Sequence, residues 1–276
     1  MKRNWPEGKH VAVLFTIMFE GWEDGAAPGV GPMGNALKPG YYDTANAGWA
    51  KYAANNGLER QLKILKEEGI EASVFCSGVQ MERHPDLIKK IAAEGHEVCL
   101  HSLAQNIIPI YLDEATEREQ MSHCLDLAVS LTGKHPVGYC SPRCTPSLST
   151  SKLLAENGLK YTIDWMGSDL PMVEHTEAGD ICLMPFPMNV NDMPLYVRYG
   201  NAPDQYYRNL VDEFDNWYAK HPEEKVVYWV TAHSHVFGRP FGAVQFQRCI
   251  QYIKSLPYVW IAQPHEVAST VLDVTY

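Results

Sequence analysis

Residues 11–21 read VAVLFTIMFEG, and this stretch decides the fold. Its first nine residues are apolar apart from Thr16, which predicts a strand that is buried on both faces. Strands of this kind are typical of parallel sheets covered by helices. The run ends at Glu20, so a carboxylate is expected directly at the end of the strand.

Polar side chains follow five further candidate strands in the same way. These strands cover residues 97–100, 137–140, 160–163, 181–186 and 226–231, and the side chains are His101, Arg143, Asp169, Asn191 with Asp192, and His233. In a β/α barrel the active site lies where the strands end. The pattern therefore predicts an enzyme and also predicts the location of its site.

Strands alternate with helical patterns along the chain, as they do in α/β folds with a parallel sheet. Two more strands are predicted at 72–76 and 258–261, and the clearest helix at 114–132. No repeat or linker divides the sequence, so residues 1–276 are predicted to form one domain. The Gly- and Pro-rich stretch 21–48 is long for a loop and is expected to cover the active site.

Composition narrows the range of partners. The net charge of −10 argues against nucleic acid and anionic membranes, because their phosphates would be repelled. No stretch reaches the roughly 20 apolar residues that span a bilayer. The seven cysteines are odd in number and lie mostly in apolar segments, which favours reduced thiols and a cytoplasmic location. A small neutral or cationic molecule is the expected partner.

Glu20 is the expected general base, since burial at the strand end would raise its pKa and let it deprotonate water. Glu23 and Asp24 follow in a polar loop and are interpreted as solvated. His101 is expected at the site as an acid, a base or a ligand. The amide of Gln105, four residues later, donates hydrogen bonds well but is a poor metal ligand.

Arg143 offers a rigid fork of donors that could orient a carboxylate or a substrate carbonyl. Cys140 and Cys144 flank it, but their spacing fits neither redox nor zinc motifs, so both are interpreted as structural. Alternation along an extended segment lets at most one of His233 and His235 face the site. His233, nearest the strand end, is the predicted one.

Six segments of the chain occur together in a characteristic order. They are Phe19-Glu20-Gly21, Gly95-His96-Glu97-Val98-Cys99 leading to His101, Arg143 with a nearby proline, Ser168-Asp169-Leu170-Pro171, Asn191-Asp192-Met193, and His233 followed by Gly238-Arg239-Pro240. In these segments the chain resembles the polysaccharide deacetylase superfamily, and more closely its allantoinase-like branch of metal-independent allantoinases and cyclic imide hydrolases. The resemblance covers nearly the whole chain. It implies a distorted, TIM-like β/α barrel of seven to eight strands that hydrolyses amide C–N bonds.

The resemblance also bears on cofactors. Metal-dependent deacetylases end strand 1 in two aspartates, a base and a metal ligand, and take two further ligands from a His-Ser-x-x-His motif. Here Glu20 stands at the base position and Gly21 at the ligand position, and the segment 101–105 has glutamine in place of the second histidine. The expected cofactor is therefore none and no metal ligand is assigned. Zinc or another divalent metal is the alternative, since Glu23 or Asp24 could replace one ligand.

The leading hypothesis is hydrolysis of a small cyclic amide, imide or ureide. Glu20 would activate water, and His233 would protonate the leaving nitrogen. Fixed donors on Arg143, Gln105 and His101 would stabilise the oxyanion. Further substrate contacts are expected from Asp169, Asn191, Asp192, Trp22 and Trp165, the last two by stacking on a planar ring.

Two alternatives stay open. One is a metal-dependent N-deacetylase of an acetylated sugar or peptidoglycan, and the other is a barrel that binds a ligand without catalysis. The apolar content and the resemblance together predict a homo-oligomer, a tetramer or a dimer.

Overall fold

The computed structural model describes residues 5–27, 37–38, 40–186 and 188–272. At its centre lies one sheet of ten strands. The strands are β1 (Val11–Phe19), β2 (Ser73–Cys76), β3 (Glu97–Leu100), β4 (Gly138–Tyr139), β5 (Tyr161–Trp165), β6 (Met172–Thr176), β7 (Gly179–Pro185), β8 (Val190–Asn191), β9 (Val226–His233) and β10 (Val259–Ala262). Part of the stretch 21–48 that was expected to cover the site, residues 28–36 and 39, lies outside the described residues.

Helices connect the strands. They are α1 (Thr44–Tyr52), α2 (Leu58–Glu68), α3 (Gly78–Arg83), α4 (Pro85–Ala93), α5 (Glu114–Thr132), α6 (Thr150–Glu156), α7 (Gln205–Glu213), α8 (Pro240–Lys254) and α9 (Pro264–Leu272). Helix α5 has the predicted bounds, because the Asp113 side chain caps its first turn and Gly133 ends it in a left-handed conformation. No described helix combines the length and apolar character needed to cross a bilayer.

The strand order is β6-β7-β5-β4-β3-β2-β1-β9-β8, with β10 also paired to β1. The pairs are parallel except for β6 with β7. Strands β6 and β8 stand at the two ends of this order, so the curled sheet forms an open barrel. The predicted fold, a distorted β/α barrel, is confirmed. The structure adds two strands to the predicted seven to eight: β6, which forms a hairpin, and the very short β8.

Strand β1 has three neighbours. Strand β9 pairs with it from Val11 to Met18 along one edge. The other edge is shared, because β10 pairs with residues 11–14 and β2 with residues 16–19. All nine residues of β1 are buried. Three neighbours therefore fix the register of the strand that leads to Glu20.

The two faces of β1 enter different cores, which explains its apolar run. Phe15 and Ile17 pack with the surrounding helices in the outer core. Leu14 and Met18 point into the barrel, where helix α9 also contributes Val267. Because side chains alternate along a strand, burial on both faces requires apolar residues at nearly every position.

Candidate active site

Three of the predicted site residues meet where neighbouring strands end. Glu20 directly follows β1, His101 directly follows β3, and His233 is the last residue of β9. Met18 is the parallel partner of His233, and β3 lies one strand beyond β2 on the other side of β1. Because these strands are parallel, their ends bring the three side chains to one edge of the sheet.

The Glu20 carboxylate lies between three imidazoles. Its Oε1 is 3.4 Å from His101 Nε2 and 3.6 Å from His233 Nε2. Its Oε2 is 3.7 Å from His235 Nε2. The Glu20 side chain is only 11% exposed, so the carboxylate interacts mainly with these rings.

Hydrogen bonds from the Nδ1 atoms of His101 and His233 hold both rings in place. His101 Nδ1 donates to the Cys140 carbonyl oxygen at 2.8 Å, and His233 Nδ1 donates to Asp192 at 2.6 Å. Each Nε2 therefore carries a hydrogen for Glu20 only when its ring is protonated. Burial lowers the pKa of His101, but its surroundings, the Glu20 carboxylate among them, raise it to about 10.

The imidazoles control the charge of Glu20. Burial raises its pKa, as the sequence led us to expect, but His233, His101 and His235 outweigh burial and hold the pKa well below its ordinary value. The expected raised pKa is therefore wrong. Burial lowers the pKa of His233, while the carboxylates of Asp192 and Glu20 raise it to about 10. At neutral pH, Glu20 is ionised and His233 is protonated.

Asp192 lies behind His233 and is fully buried. Its Oδ1 accepts from the His233 ring, and its Oδ2 accepts from the backbone N–H groups of His233 at 2.9 Å and Phe237 at 3.0 Å. The predicted substrate contact is therefore replaced by a role in orienting His233. Asn191, also buried, accepts from the Met193 N–H and supports the following turn.

His235 also faces Glu20, and the expectation that only one of the two histidines does so is wrong. The chain turns at the end of β9, where the N–H groups of Val236 and Gly238 both donate to the His233 carbonyl oxygen. Alternation stops at this turn. Neither ring nitrogen of His235 has a hydrogen-bond partner among the described residues, and burial lowers its pKa to about 3. A neutral imidazole with two open nitrogens therefore lines the site.

Two tryptophans and a glycine position His235. Trp22 and Trp49 pack edge-on against its ring, with centroid distances of 5.2 and 4.4 Å. A Cβ atom at Gly57 would come within 1.8 Å of the Ser234 carbonyl oxygen, so only glycine allows the helical segment to approach the turn. Trp22, a predicted substrate contact, thus lies beside the site.

Two of the three metal-ligand positions of the resembled deacetylases, Gly21 and Gln105, carry no good donor here. A Cβ atom at Gly21 would lie 2.7 Å from the Val79 side chain, so the surrounding residues leave no space for a ligand side chain at this position. The amide nitrogen of Gln105 donates to Ser77 Oγ at 3.0 Å and to the His101 carbonyl oxygen at 3.3 Å. The sequence predicted that this amide binds the oxyanion, but its N–H groups are already used in these two hydrogen bonds. A metal held as in those enzymes does not fit these residues.

Arg143 is exposed, and its guanidinium has no hydrogen-bond or ion-pair partner within the described ranges. Its φ is +57°, and that of Cys144 is +53°. Non-glycine residues rarely adopt this conformation, which is found preferentially at functional sites. The turn starts just after Cys140, whose carbonyl holds His101, so the free cation lies close in sequence to the site.

Asp169 and Trp165 do not lie beside the Glu20 carboxylate. They line a cavity of about 330 Å³ together with Trp229. Trp229 precedes His233 by four residues, roughly 13 Å along β9. After β5 the chain turns back, and the Asp169 carbonyl accepts from the Val227 N–H. The two predicted substrate contacts therefore belong to a separate cavity beside the first half of β9.

A second cluster was missed by the sequence analysis. The sulfur atoms of Cys140 and Cys144 and a carboxylate oxygen of Asp164 all lie within 4.8 Å of one another. Asp164 comes from β5, the neighbour of β4. Only strand pairing brings this carboxylate to the cysteines, so their spacing in the sequence gave no signal of it.

Residues 40–162 match the family model for polysaccharide deacetylase. The peptidoglycan deacetylase of Helicobacter pylori is 24% identical over 254 residues, which cover 80% of this chain and 85% of that protein. The structure of the probable polysaccharide deacetylase of Pseudomonas aeruginosa has a TM-score of 0.86 at 26% identity, over 97% of this chain and 93% of that one. The PuuE allantoinase structure has a TM-score of 0.86 at 28% identity, over 97% and 92%.

The family match includes His101 and Arg143, and the structural similarities extend across the strands that carry Glu20 and His233. Residues 40–162 thus carry the match to polysaccharide deacetylases, and the comparisons support a hydrolase that acts on C–N bonds other than peptide bonds.

Proposed function

We propose that the protein hydrolyses a C–N bond of a small cyclic amide, imide or ureide without a catalytic metal. The observation that carries the proposal is the pair of protonated imidazoles, His101 and His233, beside Glu20, which supply positive charge as a metal does in the metal-dependent deacetylases. The closed packing at Gly21 supports it, since this position offers no metal ligand, and the amide of Gln105 is a poorer ligand than the histidine that it replaces.

Glu20 accepts a proton from the attacking water in the proposed reaction. A water held between Glu20 Oε1 and the substrate carbonyl carbon gives its proton to the carboxylate, and its oxygen adds to the carbon. The low pKa of Glu20 makes it a weak base in the resting site. The same low pKa keeps Glu20 ionised, and ready to accept a proton, throughout the neutral pH range.

His233 donates the second proton. Its Nε2–H protonates the ring nitrogen as the C–N bond breaks, and Asp192 keeps the ring oriented. Loss of this proton removes a positive charge that lies 3.6 Å from Glu20 Oε1, so Glu20 holds its new proton more strongly. The two transfers therefore assist each other. Return of the proton from Glu20 to His233 restores the starting state.

The oxyanion formed at the substrate carbonyl needs fixed donors. Arg143 has a guanidinium without a partner among the described side chains, and the protonated Nε2 of His101 faces the site. Each such donor is expected to lower the barrier by about 3 kcal/mol, as in known oxyanion holes. His235, which remains neutral, offers a ring nitrogen to a substrate N–H or carbonyl.

A small ring suits this site better than a polymer. Glu20 is 8% exposed, and the neighbouring Trp22 is equally buried, so only a small part of the carboxylate is open to a substrate. The aromatic ring of Trp22 can stack on a planar heterocycle. The overall similarity to an allantoinase structure also favours a cyclic ureide or a related ring.

Metal-dependent deacetylation of an acetylated sugar is the second candidate. The family model and the Helicobacter pylori relative, a peptidoglycan deacetylase, favour it. This reaction would require a divalent ion bound by residues other than Gly21 and Gln105.

A substrate panel assayed with metal-free protein separates these functions. Ring opening of hydantoin, dihydrouracil, succinimide or allantoin that persists in the presence of a chelator supports the leading proposal. Deacetylation of N-acetylglucosamine oligomers that requires added Zn²⁺ or Co²⁺ would replace it with the second candidate. Tight binding of one ring without turnover would instead indicate a non-catalytic barrel.

A further inference from the structure

A second group of ligand atoms lies next to the active site. The sulfur atoms of Cys140 and Cys144 and a carboxylate oxygen of Asp164 all lie within 4.8 Å of one another. Cys144 Sγ is 3.5 Å from Asp164 Oδ1. All seven cysteines are in the described part of the chain, and Cys144 alone is partly exposed. A small ion can therefore reach the group from the side of Cys144.

The carboxylate of Asp164 is held in one orientation. Its Oδ2 accepts from Ser141 Oγ at 2.7 Å and from Thr162 Oγ1 at 2.9 Å, and its Oδ1 accepts from the Ser141 N–H at 3.0 Å. These bonds direct Oδ1 to the Cys144 sulfur. Hydrogen bonds that orient a carboxylate in this way are typical of the supporting shell of metal sites.

The turn that brings the sulfurs together is strained. Arg143 and Cys144 both have positive φ, at +57° and +53°. Two consecutive non-glycine residues in this region are unusual, and such strain is retained mainly where function requires the geometry. The turn places Cys144 Sγ beside Cys140 Sγ and thereby completes the group.

We propose that Cys140, Cys144 and Asp164 bind a thiophilic divalent cation such as Zn²⁺ or Cd²⁺. Two sulfurs and one carboxylate oxygen are a ligand set that these ions accept, and water would complete a tetrahedral site. Thiolates are the ligands, so binding one ion releases two protons to solvent and leaves the group with a net charge of −1. No electron transfer is involved.

The thiols are protonated before an ion binds. Burial raises the pKa of Cys144 to about 11, and burial also raises the pKa of Cys140 well above its ordinary value. In the absence of an ion the group is therefore stabilised by an S–H donor from Cys144 to Asp164 Oδ1.

The bound ion would inhibit the proposed reaction. The Cys140 carbonyl oxygen accepts from His101 Nδ1 at 2.8 Å, and Arg143 lies between the two cysteines in the chain. Drawing both sulfurs onto one ion shifts the backbone that holds His101 and carries Arg143. This consequence rests on the proposed function, whereas binding of the ion does not.

Titration with Co²⁺ tests the site directly, because a Co²⁺–thiolate bond gives a characteristic charge-transfer absorption in the near ultraviolet. The protein is used metal-free, with a phosphine reductant and with all seven thiols shown to be reactive after denaturation. We expect the absorption to saturate at one ion per chain. We also expect Cd²⁺ to displace Co²⁺ and to protect Cys144 from alkylation.

Variants decide whether the absorption comes from this group. Cys144→Ser is expected to abolish it, and Asp164→Asn is expected to weaken Co²⁺ binding at least tenfold. Cys140→Ser is the second test if Cys144→Ser does not fold. His221→Ala is the matched control, because His221 belongs to an exposed cluster with Glu223 and Glu224 that could also bind ions.

Several outcomes would overturn the proposal. They are the absence of a thiolate absorption, an absorption that persists in Cys144→Ser, and binding that is lost in His221→Ala. Inhibition by Zn²⁺ of wild type but not of Cys144→Ser supports the regulatory consequence. If no substrate is found, the absorption still reports on the site, so the two proposals fail independently.

Discussion

Glu20 and Asp164 are carboxylates near the ends of strands of the same sheet, yet their surroundings differ in kind. Glu20 faces three imidazoles, two of which are protonated at neutral pH. Asp164 accepts from neutral donors, the N–H and O–H of Ser141, the O–H of Thr162 and the S–H of Cys144. Protons can therefore be transferred among Glu20 and the imidazoles. The hydrogen bonds to Asp164 instead hold its carboxylate in one orientation.

This difference gives the two groups different roles, since the Glu20 group can transfer protons and the Asp164 group holds a fixed geometry. The Glu20 group holds an acid and a base side by side at neutral pH, as general acid–base catalysis requires. The donors around Asp164 do not release protons near neutral pH unless a cation displaces those of the thiols.

The Glu20→Gln variant should lose the most activity. The amide cannot accept a proton from water, so kcat should fall about 10³-fold, within the range for general acid–base residues. Steady-state kinetics on the best ring substrate measure the loss, and a thermal melt checks the fold. Glu23→Gln removes an equal charge from an exposed carboxylate and should keep full activity. Near-wild-type kcat for Glu20→Gln would end its assignment as the base.

The His233→Gln variant should lower kcat by about 10²-fold, because the leaving nitrogen is no longer protonated. With His233 protonated below its pKa of about 10, the wild-type rate should fall as pH rises through that value. The variant should lack this fall, which a pH–kcat profile measures. His221→Gln, at a partly exposed histidine outside the site, serves as the control. An unchanged alkaline profile in His233→Gln would assign the proton donor elsewhere.

Replacing Asp192 by asparagine should change the pH profile more than the fold. The Asp192 carboxylate favours the charged form of His233, so its loss lowers the His233 pKa. The fall in rate at alkaline pH should therefore begin at lower pH, and the defect should be larger at pH 9 than at pH 6. Equal loss at both pH values would indicate that Asp192 acts only through structure.

The smallest effect is expected from Ser141→Ala, which removes one O–H donor from Asp164. A hydrogen bond to a charged group is worth about 1.5 kcal/mol, and the free energy of unfolding should fall by that amount. Differential scanning calorimetry measures the change, and kcat should stay close to wild type. A loss of kcat as large as that of Glu20→Gln would place the Asp164 group in the catalytic machinery.

The sequence predicted the residues whose position depends on a strand and what directly follows it. Glu20, His101 and His233 follow or end strands with clear apolar patterns, so the barrel rule located all three. The same rule suggested Asp169 and Trp165 for this site. It failed there because the chain after β5 turns back along β9 and then forms the β6–β7 hairpin.

Residues placed by turns or by neighbouring strands could not be predicted. His235 reaches Glu20 only because the chain turns after β9, and Asp164 meets the cysteines only through strand pairing. The predicted shift of the Glu20 pKa was wrong in direction for a related reason. Its burial could be inferred from the sequence, but the number of imidazoles around it depends on the whole fold.

The divided edge of β1 has a consequence for how the protein is made. Residues 16–19 can pair with β2 early in synthesis, because β2 follows soon in the chain. Residues 11–14 can pair with β10 only after residues 259–262 have been synthesised. Pairings this distant in sequence slow folding, and an unpaired apolar edge can join another chain. Until β10 emerges from the ribosome, residues 11–14 of the first strand therefore keep one apolar edge unpaired.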